Sequence, residues 1–129
     1  GEWDRQDLLR YSPTEFEDLI AEYYETEGYR TDVTQASKDQ GVDVLARRDG
    51  ERVAIQVKRN SPDNRVGRPT VQKLKGALSD VGARRGILVT SSDFTDSAIS
   101  SGSGDPVQLI DGAELTDLLT RSPLVPTSR

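Results

Sequence analysis

Asp43, Gln56 and Lys58 stand in two runs, Gly41-Val42-Asp43-Val44 and Ile55-Gln56-Val57-Lys58-Arg59, whose hydrophobic alternation reads as two strands of one hairpin. A carboxylate and an amide carbonyl are oxygen ligands suited to a hard cation such as magnesium. Between the runs lies Asp49-Gly50, a pair favoured at the centre of a two-residue hairpin turn. With that turn, Arg48 faces Glu51, and stepping back along both strands brings Asp43 directly opposite Gln56. Lys58 then lies one diagonal away on the same face. The opposite face carries Val42, Val44, Ala46, Val53, Ile55 and Val57, so a one-residue slip would expose this apolar set and bury the ionisable one. The expectation is a half-buried hairpin whose polar face gathers a carboxylate, an amide and an amine.

Composition narrows the chemistry. The chain has 129 residues, 33% of them apolar, enough for one domain with one core. It contains no cysteine and no histidine, which excludes disulfides, thiolate or imidazole zinc sites, and Ser-His-Asp or Cys-His catalysis. Carboxylates, amides and lysines remain. No apolar run approaches the roughly 20 residues of a membrane span, no signal peptide is read, and a cytoplasmic location is expected. Gly1 in place of Met is read as the mark of a processed or excised piece that lacks a neighbouring domain.

The net charge of -5 is unevenly spread. Residues 1 to 46 hold 4 basic and 12 acidic side chains, residues 47 to 85 hold 11 and 4, and residues 86 to 129 hold 2 and 6. A basic middle between acidic ends can present a positive groove, although a solvated surface of mixed charge accounts for the same counts. Acid comes mainly from Asp (14 of 22) and base mainly from Arg (13 of 17), a balance read as adaptation to high salt in a halophile.

The elements that must position the trio follow from periodicity. Ser12-Pro13-Thr14-Glu15 combines an N-cap, Pro at the first helical position and a capping-box glutamate. Phe16, Leu19, Ile20, Tyr23 and Tyr24 then recur at helical spacing until Gly28. Tyr29 to Ala36 reads as a strand, and Ser37 to Gly41 as a turn into the hairpin. Asn60 to Pro69 reads as an exposed, mobile loop. Val71, Leu74, Leu78 and Val81 form the stripe of a second helix ending near Gly82. Gly86-Ile87-Leu88-Val89-Thr90 is a strand covered on both faces, and a helix after it implies a right-handed crossover and parallel pairing. A short helix near Ala98, a loop from Ser100 to Pro106, a strand from Val107 to Ile110 and a helix capped at Asp111 complete the order. Residues 1–11 are expected as a tail or linker, 12–120 as the domain, and 121–129 as a second tail, although Trp3, Leu8 and Leu9 can pack.

Several blocks in this order are specific. Phe16-Glu17, Asp39-Gln40-Gly41-Val42-Asp43-Val44, Gln56-Val57-Lys58-Arg59, Gly76-Ala77-Leu78, the run from Gly86 to Thr95, and Leu109-Ile110-Asp111-Gly112 resemble the catalytic domain of Mrr-type restriction endonucleases. That family lies within the PD-(D/E)XK nuclease superfamily, which also contains archaeal Holliday-junction resolvases. The resemblance covers about residues 12 to 120. It implies an α/β, restriction-endonuclease-like three-layer αβα core around a central mixed β-sheet, in the order αβββαβ followed by αβα.

The resemblance also implies a function, restriction-type cleavage of double-stranded DNA by a magnesium-dependent endonuclease, with manganese as a substitute cofactor and a homodimer as the assembly. Glu17, Asp43, Gln56 and Lys58 are then the catalytic set, with Asp43, Gln56 and Glu17 on the metal. Gln56 stands where most of the superfamily has an acid, so its carbonyl is a neutral and weaker ligand, as in the Mrr-type domains. Lys58, an ammonium, is assigned the electrostatic role of orienting water or stabilising charge on phosphorus. Glu17 sits at the edge of its helix's apolar arc, from which it can reach toward a sheet edge. Arg59, Arg65, Arg68, Lys73 and Lys75 are candidate DNA-backbone contacts, and Thr90 and Ser91 candidate phosphate contacts. Asp39 is read as a loop-former. Taken singly, Asp43 as a cap for backbone amides, Lys58 as its surface ion partner, and Glu17 as a solvent-facing side chain are also accounted for. A catalytically weak or inactive DNA-binding module and a junction-resolving nuclease are the alternatives.

Overall fold

The computed structural model describes residues 1–33, 41–102 and 106–127. The elements run α1 Arg5–Leu9, α2 Pro13–Thr26, β1 Arg30–Val33, β2 Val44–Arg48, β3 Glu51–Lys58, α3 Arg68–Ala77, β4 Arg85–Thr90, α4 Asp96–Gly102, β5 Val107–Ile110 and α5 Gly112–Thr120. The expected turn over Ser37 to Gln40, the far end of the first strand and residues 103–105 lie outside the described residues.

The hairpin forms at the expected turn. Asp49 and Gly50 both take positive φ, 53° and 78°, the type I′ geometry whose twist suits the flanking strands. Arg48 pairs with Glu51 and the register runs back to Val44 opposite Ile55. β1 adds antiparallel beside β2, while β4 and β5 add parallel beyond β3, giving one mixed five-stranded sheet in the order β1-β2-β3-β4-β5. The parallel β4–β5 pair with α4 between them is the crossover that a helix after the covered strand predicts, and β3 and β4 form a second parallel pair around α3.

Helices cover both faces. On one, Phe16, Leu19 and Ile20 of α2 and Leu115 and Leu119 of α5 pack on Val44, Ala46, Val53, Ile55 and Val57. On the other, Val71, Leu74 and Ala77 of α3 and Ala98 of α4 pack on Ala54, Leu88 and Val107. β3 is therefore covered from Val53 to Val57, and the hairpin is not half-buried as its alternation suggested. Ala54, on the same face of β3 as Gln56, lies fully buried beneath α3. Alternation alone cannot tell a solvated face from one roofed by a helix that approaches later in the chain.

Capping is as the sequence predicts for α2: Ser12 Oγ accepts from Glu15 N and Glu15 returns a bond to Ser12 N. Tyr24 stacks edge-on between Tyr23 and Tyr29, and burial first, then these two neighbours, pushes its phenol pKa up, so the contact stays neutral.

Both expected tails and the expected mobile loop are corrected. α1 is a helix with its own capping box, Asp4 with Asp7. Trp3 and Leu8 are buried, Trp3 Nε1 donates to Leu124 O at 3.1 Å, and Thr127 N donates to Tyr11 Oη at 3.1 Å, so the two ends of the chain hold each other. The loop after β3 is pinned: Asn60 N donates to Ser91 Oγ (2.8 Å), Ser92 Oγ donates to Asn64 O (2.8 Å), and buried Val66 bridges to Phe94. Polarity and proline mark a segment without regular ladders, not an untethered one.

Trp3→Ala should therefore cost about 3 kcal/mol, the low end for truncating a buried tryptophan. Urea unfolding checks this, and an unchanged midpoint would mean that the N-terminal segment is not docked.

Candidate active site

The site lies where β2 and β3 part, at the end of the hairpin away from its turn. Asp43 N donates to Ile55 O at 2.8 Å, although Ile55 is already the partner of Val44. Two residues of one strand thus face one of the other, which is a β-bulge. The bulge resets the alternation, so Val42, expected beside Val44, joins Val71, Leu74 and Leu88 in the α3 layer. Asp43 is accordingly not a simple cross-strand partner of Gln56.

Its carboxylate nevertheless meets that residue. Asp43 Oδ2 accepts from Val57 N at 2.8 Å and from Gln56 Nε2 at 3.1 Å, and both side chains are buried. A carboxylate only accepts, so the amide must turn its nitrogen toward Asp43 and its oxygen away. That oxygen points at Gly41, where an added Cβ would come within 2.6 Å of Gln56 Oε1. Gly41 has φ +81°, so both its backbone and its missing side chain are required.

Beyond Gln56 opens a cleft of about 250 Å³ lined by Gly41, Gln56, Lys58, Pro69, Thr70 and Lys73. β3 delivers Gln56 and half-buried Lys58, α3 delivers Pro69, Thr70 and Lys73, and Gly41 comes from the segment that leads into β2. Lys73 is exposed, and its Cγ would lie 3.4 Å from a Cβ at Gly41, so it borders the Gln56 amide directly.

Glu17 is buried in α2, on the opposite layer from Gln56 and Lys58. α2 runs toward the hairpin turn, where Glu27 O accepts from Arg48 Nη1 at 2.8 Å. Glu17 stands ten residues earlier, roughly 15 Å back along the helix, and so at the same end of the sheet as Asp43. Among the described residues no group of three or more acidic side chains is placed to hold a metal ion. Asp43 and Gln56 still make an all-oxygen donor pair, with glycine keeping space open beside the amide oxygen, which fits a hard divalent cation.

The remaining residues separate. Arg68 is exposed at the first turn of α3, beside the cleft. Arg59 is half-buried, and its buried Nε has no hydrogen-bond partner among the described residues. Arg65 lies elsewhere, on a cleft shared with Asp93, Asp96, Asp111 and Glu114. Lys75 turns to α4, where its Nζ donates to Ser101 O at 2.5 Å. Thr90 and Ser91 are corrected from phosphate contacts to internal stitches. Thr90 is fully buried and its Oγ1 donates to Lys58 O at 2.8 Å, while Ser91 Oγ donates to Asn60 O at 2.7 Å. Sequence reasoning missed Gly41, Pro69 and Thr70 as cleft residues; a glycine two residues before the candidate acid was the only signal for the first.

The restriction endonuclease family model of the Mrr catalytic type matches residues 8–119. The chain belongs to the restriction endonuclease family. A relative from Escherichia coli (strain K12), the type IV methyl-directed restriction enzyme EcoKMrr, is 33% identical over 133 residues, which is 96% of this chain and 43% of that protein. The chain thus spans less than half the length of this curated relative. Among solved structures, the DNA modification-dependent restriction endonuclease AspBHI superposes with a TM-score of 0.72 at 24% identity, covering 90% of this chain and 35% of that one. The MspJI restriction endonuclease, in complex with a 27-mer oligonucleotide, gives 0.56 at 24% identity over 91% and 27%. These likenesses establish the restriction endonuclease fold, in which the mixed sheet and its flanking helices are those described above. Among the described residues no helix is long and apolar enough to cross a membrane.

Gly41→Ala tests the cradle in this restriction endonuclease domain. Strain at φ +81° and displacement of the Gln56 amide should together cost about 1–2 kcal/mol and shift the Gln56 side-chain amide resonances. Unmoved resonances in a folded variant would show that Gly41 does not set the amide.

Proposed function

We propose that this domain is a divalent-metal-dependent endonuclease that hydrolyses the phosphodiester backbone of double-stranded DNA in restriction of foreign or modified DNA. The supporting observation is the buried Asp43 carboxylate, held by Val57 N and by the Nε2 of Gln56, whose side chain lines a cleft that also carries Lys58 and Lys73. Family membership supplies the substrate class.

Asp43 provides the charged oxygen ligand, Gln56 Oε1 a neutral one, and Glu17 a second carboxylate from the α2 layer. Magnesium bound there, with manganese able to replace it, supplies Lewis-acid polarisation of a phosphoryl oxygen. Lys58 lines the cleft from the end of β3, where the bond from Thr90 Oγ1 to the Lys58 carbonyl holds its backbone. It stabilises the negative charge that builds on the phosphoryl oxygens as an in-line water attacks. Lys73 and Arg68 grip the DNA backbone at the cleft rim, and Arg59 adds a guanidinium behind Lys58. Such contacts set position without reading sequence. Cutting both strands calls for two sites, and a homodimer provides them.

A second reading is that the domain binds DNA without useful catalysis. It is favoured by the absence, among the described residues, of a cluster of three acidic side chains.

Plasmid cleavage with magnesium or manganese over a salt series separates the two. The wild type should nick and linearise, and Asp43→Ala and Lys58→Ala should each lose about 100-fold or more in rate, the scale for removing one electrostatic contact to the transition state. Equal cleavage by all three, or none at any salt, rejects the nuclease reading.

Gln56→Glu carries a sharper expectation. It places two carboxylates at the 3.1 Å now spanned by a hydrogen bond, so without metal the raised pKa of the pair makes the folded state lose stability as pH rises above the ordinary carboxylate range. Metal should reverse that loss and half-saturate at lower concentration than in the wild type. Thermal melts with and without magnesium at pH 5 and 8 measure both, and a variant insensitive to metal would place no cation at Gln56.

A further inference from the structure

At the turn end of the hairpin, opposite the candidate active site, five arginines line one cleft of about 800 Å³: Arg30, Arg47, Arg48, Arg52 and Arg84. They come from β1, β2, β3 and the approach to β4, so they extend across three strand spacings, roughly 14 Å. Two acids share the lining, Asp49 and Glu51, and Glu51 is engaged by Arg85 Nε at 3.8 Å. In a chain of net charge -5 this concentration of guanidinium is not a property of the surface at large.

Two of the five are held in place by the fold. Arg48 Nη1 donates to Glu27 O (2.8 Å) with its guanidinium 4.2 Å above the Tyr29 ring, and Arg52 Nη1 donates to Val81 O at 2.9 Å. A guanidinium carries five N–H donors, so most remain for a ligand and their positions are already set. Arg30, Arg47 and Arg84 are exposed around them, Arg47 with its Nη2 3.7 Å from Asp32 Oδ2 in a solvent-exposed pair that leaves its other donors open.

We infer that this cleft is a second nucleic-acid contact, one that grips the phosphate backbone of duplex DNA away from the cutting site. A row of this length fits successive phosphates better than a single small anion. The lining contains no aromatic residue, and the one ring beside it, buried Tyr29, is already covered by Arg48. No stacking platform is offered to a base, so the contact is to the backbone of paired DNA and carries no sequence preference. From Glu51 to Lys58 is seven residues of strand, roughly 23 Å, so the two sites engage separate stretches of DNA. The choice of DNA rests on the proposed function, although the test does not depend on cleavage.

The test measures binding of a short duplex of random sequence, without metal, across a salt series. Arg47→Ala combined with Arg84→Ala removes two exposed arginines and leaves Arg48 and Arg52 holding the fold. Two lost phosphate contacts should lower the slope of log affinity against log salt by about 2, so that the affinity lost between about 50 and 200 mM salt shrinks roughly tenfold relative to the wild type. Lys58→Ala with Lys73→Ala should keep the part of the slope that the arginine cleft supplies. If cleavage is absent from every protein but the arginine variant still flattens the slope, the cleft stands and the nuclease reading falls. An unchanged slope with cleavage intact overturns the cleft and leaves the nuclease reading. An unchanged slope accompanied by loss of self-association in sedimentation also overturns it, by assigning the arginines to an acidic face of a protein partner.

Discussion

The hydrogen bond from Val57 N to the Asp43 carboxylate is the contact on which the arrangement of this molecule turns. In an uninterrupted antiparallel ladder that amide would seek the carbonyl of residue 42. The bulge at Asp43 withdraws the carbonyl and offers a carboxylate, and an ionised acceptor makes the stronger bond. A buried backbone donor is satisfied and a buried charge is held by donors in one stroke, so neither the strand end nor the acid is left uncompensated. Everything beyond it depends on the choice: Val42 crosses to the α3 layer, Gly41 takes a positive φ, and the Gln56 amide is oriented with its oxygen outward.

The sheet makes that local device rigid. β3 is central, paired antiparallel with β2 on one side and parallel with β4 on the other, and roofed on both faces. Lys58 and Thr90 are register partners, and Thr90 Oγ1 adds a side-chain bond to the Lys58 carbonyl. Ser91 then ties the next turn to Asn60 in both directions. The polar residues at the end of β4 thus spend their hydroxyls holding the β3 end still, and the site is built on strand geometry instead of loop geometry, where a positioning error of an ångström is costly.

Much of this was legible from residue types. Asp49-Gly50 with alternating flanks specifies the register, Ser12 to Glu15 specifies where α2 begins, and the apolar run from Ile87 to Val89 specifies a strand covered on both faces. What was not legible has a common cause. The bulge at Asp43 uses no signature residue, because the bulged position needs no glycine, so Val42 and Val44 read as neighbours on one face. The roof over Ala54 and Gln56 comes from α3, more than ten residues later in the chain, and alternation carries no information about it. The α1 segment, only five residues long, falls below the length at which helical periodicity can be read, and its stability comes from Trp3 and Leu8 in the core. Thr90 and Ser91 have the same side chains whether they bind phosphate or bind the chain itself, and only burial distinguishes the two uses.

A neutral residue at position 56 follows from the same bond. Asp43 needs a donor at its Oδ2 in addition to Val57 N, and an amide supplies one where a carboxylate would present a second acceptor. With Gln56 the constellation is assembled before any cation arrives, because its charge is compensated by fixed hydrogen bonds. With an acid there, two like charges at hydrogen-bond distance could coexist only around a cation or a shared proton. The glutamine therefore trades charge for preorganisation: a neutral amide compensates Asp43 by itself and turns its oxygen toward Gly41. The charged side chains that line the cleft beside the amide are then Lys58 and Lys73 alone among the described residues, and with no acid in that lining they can face an anion without first being neutralised there.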